Sequence, residues 1–277
     1  MMKILLFMKW QNCLATTMLW LGVAGCLSAP IPAAPERIRV MTYNIHHGEG
    51  LDGKVDLARI ATLITNAAVD IVALQEVDKG VERTGRRDLP AELAALTGLT
   101  CVFSNNYHYQ GGEYGNAVLT RFPVRHATNH LFQMIRAREQ RGLLQLVLRV
   151  RDQELVFWNT HLDAGSDDAE RWAAVAEITA LAAASASRPF LLCGDFNAVP
   201  TSRVAQQLAG QFDDVWARVG KGAGGTVPVG QPNRRIDYFW IGKNQQLIPK
   251  SAWLIQSEAS DHLPVVAELE ISGLNPP

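Results

Sequence analysis

Polar residues recur at, or just past, the ends of apolar runs in this chain. Asn44 follows Val40-Met41-Thr42-Tyr43, Glu76 follows Val72-Ala73-Leu74-Gln75, and His161 follows Phe157-Trp158-Asn159-Thr160. Asp195 and Asn197 follow Leu191-Leu192-Cys193-Gly194, Asp237 stands at the start of the run 236–241, and Asp261-His262 precedes Leu263-Pro264-Val265. One carboxylate beside an apolar run is ordinarily a turn or cap residue. Several at one end of a β-structure are different, because buried carboxylates repel unless a cation or a proton intervenes. Asp and Glu are hard oxygen donors suited to Mg²⁺, which keeps several waters and takes one or two protein carboxylates. Ser260-Asp261-His262 has the letters of a hydrolase triad but not its geometry. Neighbours on extended backbone point to opposite faces, and no G-x-S-x-G elbow exists to supply a nucleophile.

The elements that would hold these residues are mostly strands. Short runs rich in Val, Ile, Leu and Phe lie between turn signals at 38–45, 71–77, 100–105, 116–121, 143–151, 155–160, 190–193, 236–241 and 265–271. Helical periodicity appears at 57–67, where Leu57, Ile60, Ala61 and Ile64 share a face, and again at 90–96 and 169–184. Asp167 or Asp168 would cap the last of these. Strands outnumber helices without regular alternation, which disfavours a TIM barrel or a Rossmann sheet and favours a sheet-on-sheet core with helices outside.

The polar positions and their flanks resemble the endonuclease/exonuclease/phosphatase superfamily, the group that includes DNase I. The resemblance runs from Met41-Thr42-Tyr43-Asn44 to Ser260-Asp261-His262. Between them lie Leu74-Gln75-Glu76, Gly115-Asn116-Ala117-Val118-Leu119, Asn159-Thr160-His161-Leu162, Gly194-Asp195-Phe196-Asn197 and Arg235-Ile236-Asp237-Tyr238. Each is short and weak alone, and in this order they are specific. The resemblance implies an α+β fold, a four-layer αββα sandwich of two mixed β-sheets flanked by helices. It implies that Asn44 and Glu76 hold a divalent metal, magnesium with manganese as the substitute, and that Asp261 completes the site. Asp195 and Asn197 would position or activate water and phosphate, Asp237 would pair with His262, and His161 would be a second histidine at the site. Acid–base groups contribute roughly 3–5 kcal/mol of the ~8–23 kcal/mol an enzyme supplies, so the metal's share is needed too. Whether Asp195 or His262 is the base stays open at this point.

Other features read more plainly. His46-His47 after the first strand is weak evidence for zinc without further ligands. Tyr114 and Asn116 suit contact with phosphate or support of the core equally well. Arg83, Arg86, Arg87, Arg136, Arg138 and Arg141 read as a solvated face before they read as a polyanion groove. The Gly-rich stretch 220–230 lacks the Lys-Ser/Thr ending of a P-loop and is expected to be a mobile surface loop.

The composition, 48% hydrophobic and 19% charged over 277 residues, is that of a globular protein and excludes disorder and a polytopic membrane protein. The averages conceal a leader at 1–35, with Lys3 and Lys9, no acid, and an apolar centre at 14–25 too short to span a bilayer. Val23-Ala24-Gly25-Cys26 resembles a bacterial lipobox, so cleavage is expected before Cys26, with Cys26 lipidated. A soluble export signal cut near Ala29 or Ala34, and an uncleaved anchor, are the alternatives. Cleavage before Cys26 removes two of 26 basic and none of 27 acidic residues, taking the net charge from −1 to −3. That balance gives no support for tight nonspecific binding to a nucleic-acid backbone. Cys101 and Cys193 each sit in a strand-like run and read as buried free thiols.

The expectation is therefore a single domain at 36–277 behind the leader, exported to the bacterial cell envelope by lipid anchoring, or else periplasmic or secreted. It would be a magnesium-dependent phosphoesterase cleaving a phosphodiester in a nucleic acid or a phospholipid or glycolipid head group, with no obligate protein partner. The alternative is a noncatalytic envelope protein that binds phosphorylated ligands.

Overall fold

The computed structural model describes residues 36–272 except 186, 244 and 245. The expected leader and Cys26 lie outside the described residues. In chain order the strands are β1 (Glu36–Asn44), β2 (Ile71–Lys79), β3 (Thr100–Tyr109), β4 (Gly112–Thr120), β5 (Val124–Leu131) and β6 (Gly142–Val150). They continue with β7 (Gln153–His161), β8 (Phe190–Asp195), β9 (Phe212–Asp214), β10 (Asp237–Gly242), β11 (Leu247–Leu254) and β12 (Val265–Ile271). The α-helices are α1 (Leu57–Asn66), α2 (Leu89–Thr97), α3 (Ala169–Ala182), α4 (Arg203–Gln211) and α5 (Val215–Val219).

Six strands form one sheet in the order β11-β12-β1-β2-β4-β3, and six form the other in the order β5-β6-β7-β8-β10-β9. The pairs β1/β2 and β7/β8 are parallel and the rest antiparallel, so both sheets are mixed. Alternation along the strands sorts side chains into three apolar layers. Ile38 and Val40 of β1 face Phe157, Leu191 and Phe239 of the opposite sheet. Met41 and Tyr43, at the alternate positions, pack with Ile60, Ile64 and Leu93 of α1 and α2. Val156, Leu192 and Trp240 do the same on the other sheet with Val175, Ile178, Val204 and Leu208 of α3 and α4. Strands buried on both faces read as continuous apolar runs, which is why they stood out in the sequence. The result is the four-layer αββα sandwich.

The local signals for the helices are mostly those expected. Asp56 caps α1 by accepting from the Ala58 and Arg59 N–H groups, and Leu57, Ile60, Ala61 and Ile64 are its buried face. At α3 Asp167 accepts from the Ala169 N–H, while Asp168 spends its carboxylate on Arg203. Two expectations need correction. The stretch 220–230 is not simply a surface loop: Gly224, Gly225, Thr226 and Val227 are buried. Thr226 accepts at its carbonyl from the Leu263 N–H (2.9 Å) and donates its own N–H to Arg234 (2.8 Å), so the stretch braces the segments around Asp237 and His262. Cys193 is fully buried, but Cys101 is only half-buried; both are free thiols, and burial pushes Cys101 up to about 12.

Candidate active site

The inward-facing positions change character toward one end of the sandwich. Along β1 the residues of one parity are Ile38, Val40, Thr42 and Asn44; along β7 they are Leu155, Phe157, Asn159 and His161. Along β8 they are Leu191, Cys193 and Asp195, and along β10, read backwards, Ile241, Phe239 and Asp237. The apolar core thus gives way to amides and then to ionisable groups without any change in strand geometry. A buried amide layer marks the border. Gln75 donates to Asn159 across the two sheets at 2.8 Å, and Asn159 donates to the carbonyls of Leu74 and Ala117 at 2.9 Å each.

Asp195 ends β8 at the centre of the polar end, 1% exposed. Gly194 before it has φ 136°, and a Cβ there would stand 1.9 Å from the Thr160 carbonyl oxygen, so only glycine lets β8 run this close to β7. Burial and the adjacent Asp237 carboxylate push Asp195 up to about 7. Asp237 faces it across the β8–β10 pair, in register. Asp237 Oδ2 accepts from His262 Nδ1 at 2.9 Å, and His262 Nε2 lies 3.7 Å from Asp195 Oδ2. Burial by itself would lower His262, but the Asp237 and Asp195 carboxylates outweigh it and lift the imidazole to about 10. Ser260 holds the turn that carries His262, donating its hydroxyl to the Asn44 carbonyl at 2.7 Å and accepting from the His262 N–H.

His161 approaches Asp195 from the other side, with Nε2 3.5 Å from Oδ2. Its Nδ1 is 2.8 Å from an Arg141 guanidinium nitrogen. A guanidinium only donates, so Nδ1 is the acceptor and Nε2 carries the proton. Burial, Arg141 and His262 together hold His161 well below the usual imidazole range, and the ring is neutral. Asn197 donates Nδ2 to the Leu162 carbonyl, which fixes its amide, and the same nitrogen lies 3.2 Å from His161 Nε2. Two N–H donors therefore stand side by side at the cleft floor, a geometry that suits an anionic oxygen.

Glu76 lies in a bulge of β2, at φ 58°, where the register with β4 shifts between Leu74 and Val77. Asn44 donates its amide to Glu76 at 2.9 Å and to Asp195 at 3.1 Å, tying together carboxylates from the two sheets. The side-chain oxygen Oδ1 of Asn44 accepts from the His46 N–H. Asp261 is exposed on the rim, with Oδ1 3.3 Å from the Ser260 hydroxyl oxygen. Among the described residues, two sets of acidic and imidazole ligand atoms lie within 4.8 Å of one another: Asp195, Asp237 and His262, and His46, His47 and Glu76. Asp261 belongs to neither. Carboxylates of Glu76 and Asp195 drawn to one amide, with Asp237 Oδ1 buried and without a hydrogen-bond partner, are a donor set that fits a hard divalent cation.

A cleft of about 480 Å³ opens over these groups, lined by Glu76, His161, Asp195, Asn197, Asp261 and His262. Asp237 stands behind His262. Every site residue singled out in the sequence is at this one place. The cleft also has walls that include two of the arginines read above as a solvated face, Arg83 and Arg141, and two tyrosines not singled out there, Tyr107 and Tyr109. Arg141 is 8% exposed and bridges His161 and Glu139; it is no solvated arginine. Arg83 forks onto the buried Asp78 with two 2.8 Å bonds and stacks on Tyr109 and Tyr114. Tyr107 and Tyr109, stacked with centroids 6.2 Å apart, reach the cleft from the β3–β4 hairpin. Arg86, Arg87, Arg136 and Arg138 keep to ion pairs, as a solvated face predicts. Asn116 supports the core, donating to the Gly142 carbonyl, and Tyr114 lines the cleft. The Gln110-Gly111 turn and the polar run 104–109 were the available signal for that hairpin.

The model of the Endonuclease/Exonuclease/phosphatase family matches residues 41–262. The uncharacterized protein YbhP of Escherichia coli (strain K12) is 27% identical over 248 residues, 84% of this chain and 96% of that protein. An endonuclease/exonuclease/phosphatase from Beutenbergia cavernae DSM 12333 superposes with a TM-score of 0.74 at 26% identity, over 86% of this chain and 72% of that one. The mannosyl-6-phosphatase Bt3783 of Bacteroides thetaiotaomicron shares the fold at a TM-score of 0.71 and 18% identity, over 84% of this chain and 99% of its own.

Proposed function

Because the chain belongs to the endonuclease/exonuclease/phosphatase family, we propose that it is a divalent-metal-dependent phosphoesterase that hydrolyses phosphodiesters in the bacterial cell envelope. What carries the proposal is the position of Asp195, between an imidazolium held by a carboxylate and a neutral imidazole held by a guanidinium. A buried carboxyl pushed up to about 7 can take a proton from an attacking water near neutral pH. His262, charged up to about pH 10, cannot accept that proton; it supplies positive charge and an N–H to the phosphate. Of the two candidates for the base, Asp195 is therefore the one this geometry favours. His161 Nε2–H and Asn197 Nδ2–H would bind a phosphoryl oxygen as charge builds on it. Asp237 and Arg141 are positioning residues, each setting the tautomer of its histidine.

Glu76, with Asn44 donating to it, would hold the cation, Mg²⁺ or Mn²⁺, which when bound polarises the phosphoryl oxygen and stabilises leaving-group charge; Asp261, out on the rim, joins neither set of converging ligand atoms. The Asn44 side-chain oxygen accepts from the His46 N–H, so Glu76 is the ligand the geometry supports most directly.

Export rests on the leader and its lipobox-like Cys26, and a lipid-anchored enzyme suits a phospholipid or glycolipid head group better than a nucleic acid. The mature net charge of −3 points the same way. Hydrolysis of bis(p-nitrophenyl) phosphate, DNA, RNA and phospholipid diesters, with magnesium and then with chelator, tests the reaction. Turnover that disappears with chelator and in Glu76→Ala, Asp195→Ala and His262→Ala is expected. Phosphate binding without turnover on any diester would replace the enzyme with a binding protein. Globomycin-sensitive processing, lost in Cys26→Ser, tests the anchor.

A further inference from the structure

Glu76 is shared with a second group of side chains. One ring nitrogen of His46, one of His47 and a carboxylate oxygen of Glu76 lie within 4.8 Å of one another. All three residues have left-handed backbone, with φ of 44°, 45° and 58°. Side-chain-bearing residues enter that region rarely, and strained backbone persists only where the surroundings impose it. Here it turns the two rings toward Glu76, and they meet edge to face with centroids 4.4 Å apart.

His47 is the telling member. It is 7% exposed, yet its Nδ1 has no hydrogen-bond partner. Its Nε2 faces Glu49 Oε2 at 3.5 Å. A bare nitrogen on one side of the ring and a carboxylate on the other is how metal-ligating histidines are held, because the carboxylate fixes the tautomer and leaves the other nitrogen free to donate. Asn44 ties the loop to the acid, accepting from the His46 N–H at 3.0 Å and donating to Glu76 at 2.9 Å.

We propose that His46 and His47, sharing Glu76 with the cleft, form a second cation site, selective for a borderline divalent ion such as Zn²⁺ or Co²⁺ over Mg²⁺. Two imidazoles and one carboxylate, with a position left for water, is a donor set that zinc accepts and magnesium, which requires oxygen, does not. Glu76 lines the cleft, so an ion here would sit at its edge. The site does not require that the protein hydrolyse anything.

The test is a Co²⁺ titration of the chelator-stripped full chain, followed by its visible absorption and by imidazole ¹⁵N shifts. One equivalent should give a d–d band, displaced by Zn²⁺ but not by excess Mg²⁺. His46→Gln and His47→Gln should each weaken Co²⁺ binding more than about tenfold, with circular dichroism unchanged. Asp237→Asn should leave the affinity within about twofold, since that residue is not a ligand of this site. Co²⁺ affinity untouched by both histidine substitutions, or lost to Mg²⁺ competition, overturns the site. Full phosphodiesterase activity with Mg²⁺ alongside that result would leave the proposed function standing without it. A cobalt band that needs both histidines, in a protein that cleaves no diester, would do the reverse.

Discussion

Asp195 has a histidine on each side, and the two walls of the cleft hold their rings in opposite states. His262 and His161 are both more than nine-tenths buried, and burial works against the charged form in both. The neighbouring charges decide the outcome. Asp237 accepts from His262 and, with Asp195, outweighs burial and lifts the ring to about 10; at His161 burial is reinforced by the donating Arg141, and the ring is neutral. Same residue type, similar burial, opposite charge. The contrast gives one wall a cation for phosphate and the other a neutral N–H donor, and leaves the carboxylate between them as the group able to accept a proton.

The strongest way to break this contrast is to remove the charged wall. His262→Ala and Asp195→Asn should each lower kcat by about 10³-fold or more with KM little changed, since acid–base and electrostatic contributions combine there. A loss below tenfold in a steady-state assay would mean the chemistry lies elsewhere. Asp237→Asn should cost about 10²-fold and shift the alkaline limb of the pH–rate profile downward, because His262 loses the carboxylate that holds its proton. An unmoved limb would remove His262 as its source.

The neutral wall should respond more mildly. Arg141→Met should reduce kcat about tenfold and raise the His161 titration seen by NMR, with partial recovery in Arg141→Lys, which restores a cationic donor. A ring that titrates as before would show that burial alone keeps His161 neutral.

The smallest effect sharpens the role of Asp195 through stability. Its folded value of about 7 lies above the ordinary 3.8, so the native state binds the extra proton between those values and loses stability as pH rises from about 4 through 7. In chelator, Asp195→Asn should therefore gain stability in urea unfolding at pH 8 and nothing near pH 4. A pH-independent gain would point to packing instead.

The layers were legible because strands covered on both faces carry dense apolar runs, as 38–45, 155–160 and 236–241 do. Elements with one open face were not. β5 exposes nearly its whole length as Val-Arg-His-Ala-Thr-Asn-His-Leu, so it has no apolar alternation to detect. β11 carries Pro249, which argues against a strand until it is seen at a bulge on a sheet edge. α4 and the brief β9 are short and largely polar. At the site, Asp195 and Glu76 announced themselves by ending apolar runs, and His262 by preceding one. Arg141 did not, because an arginine at the start of a strand has the same local signature whether it meets water or an imidazole.

By itself the sequence determined which positions carry ionisable groups and that those groups stand at the ends of apolar runs. Their states were decided only by the tertiary structure. Where burial alone would leave an imidazole neutral, the charged groups within a few ångströms of its ring decide whether it stays so. Asp237 is 25 residues from His262, and Arg141 is 20 from His161. No local pattern encodes which of them arrives.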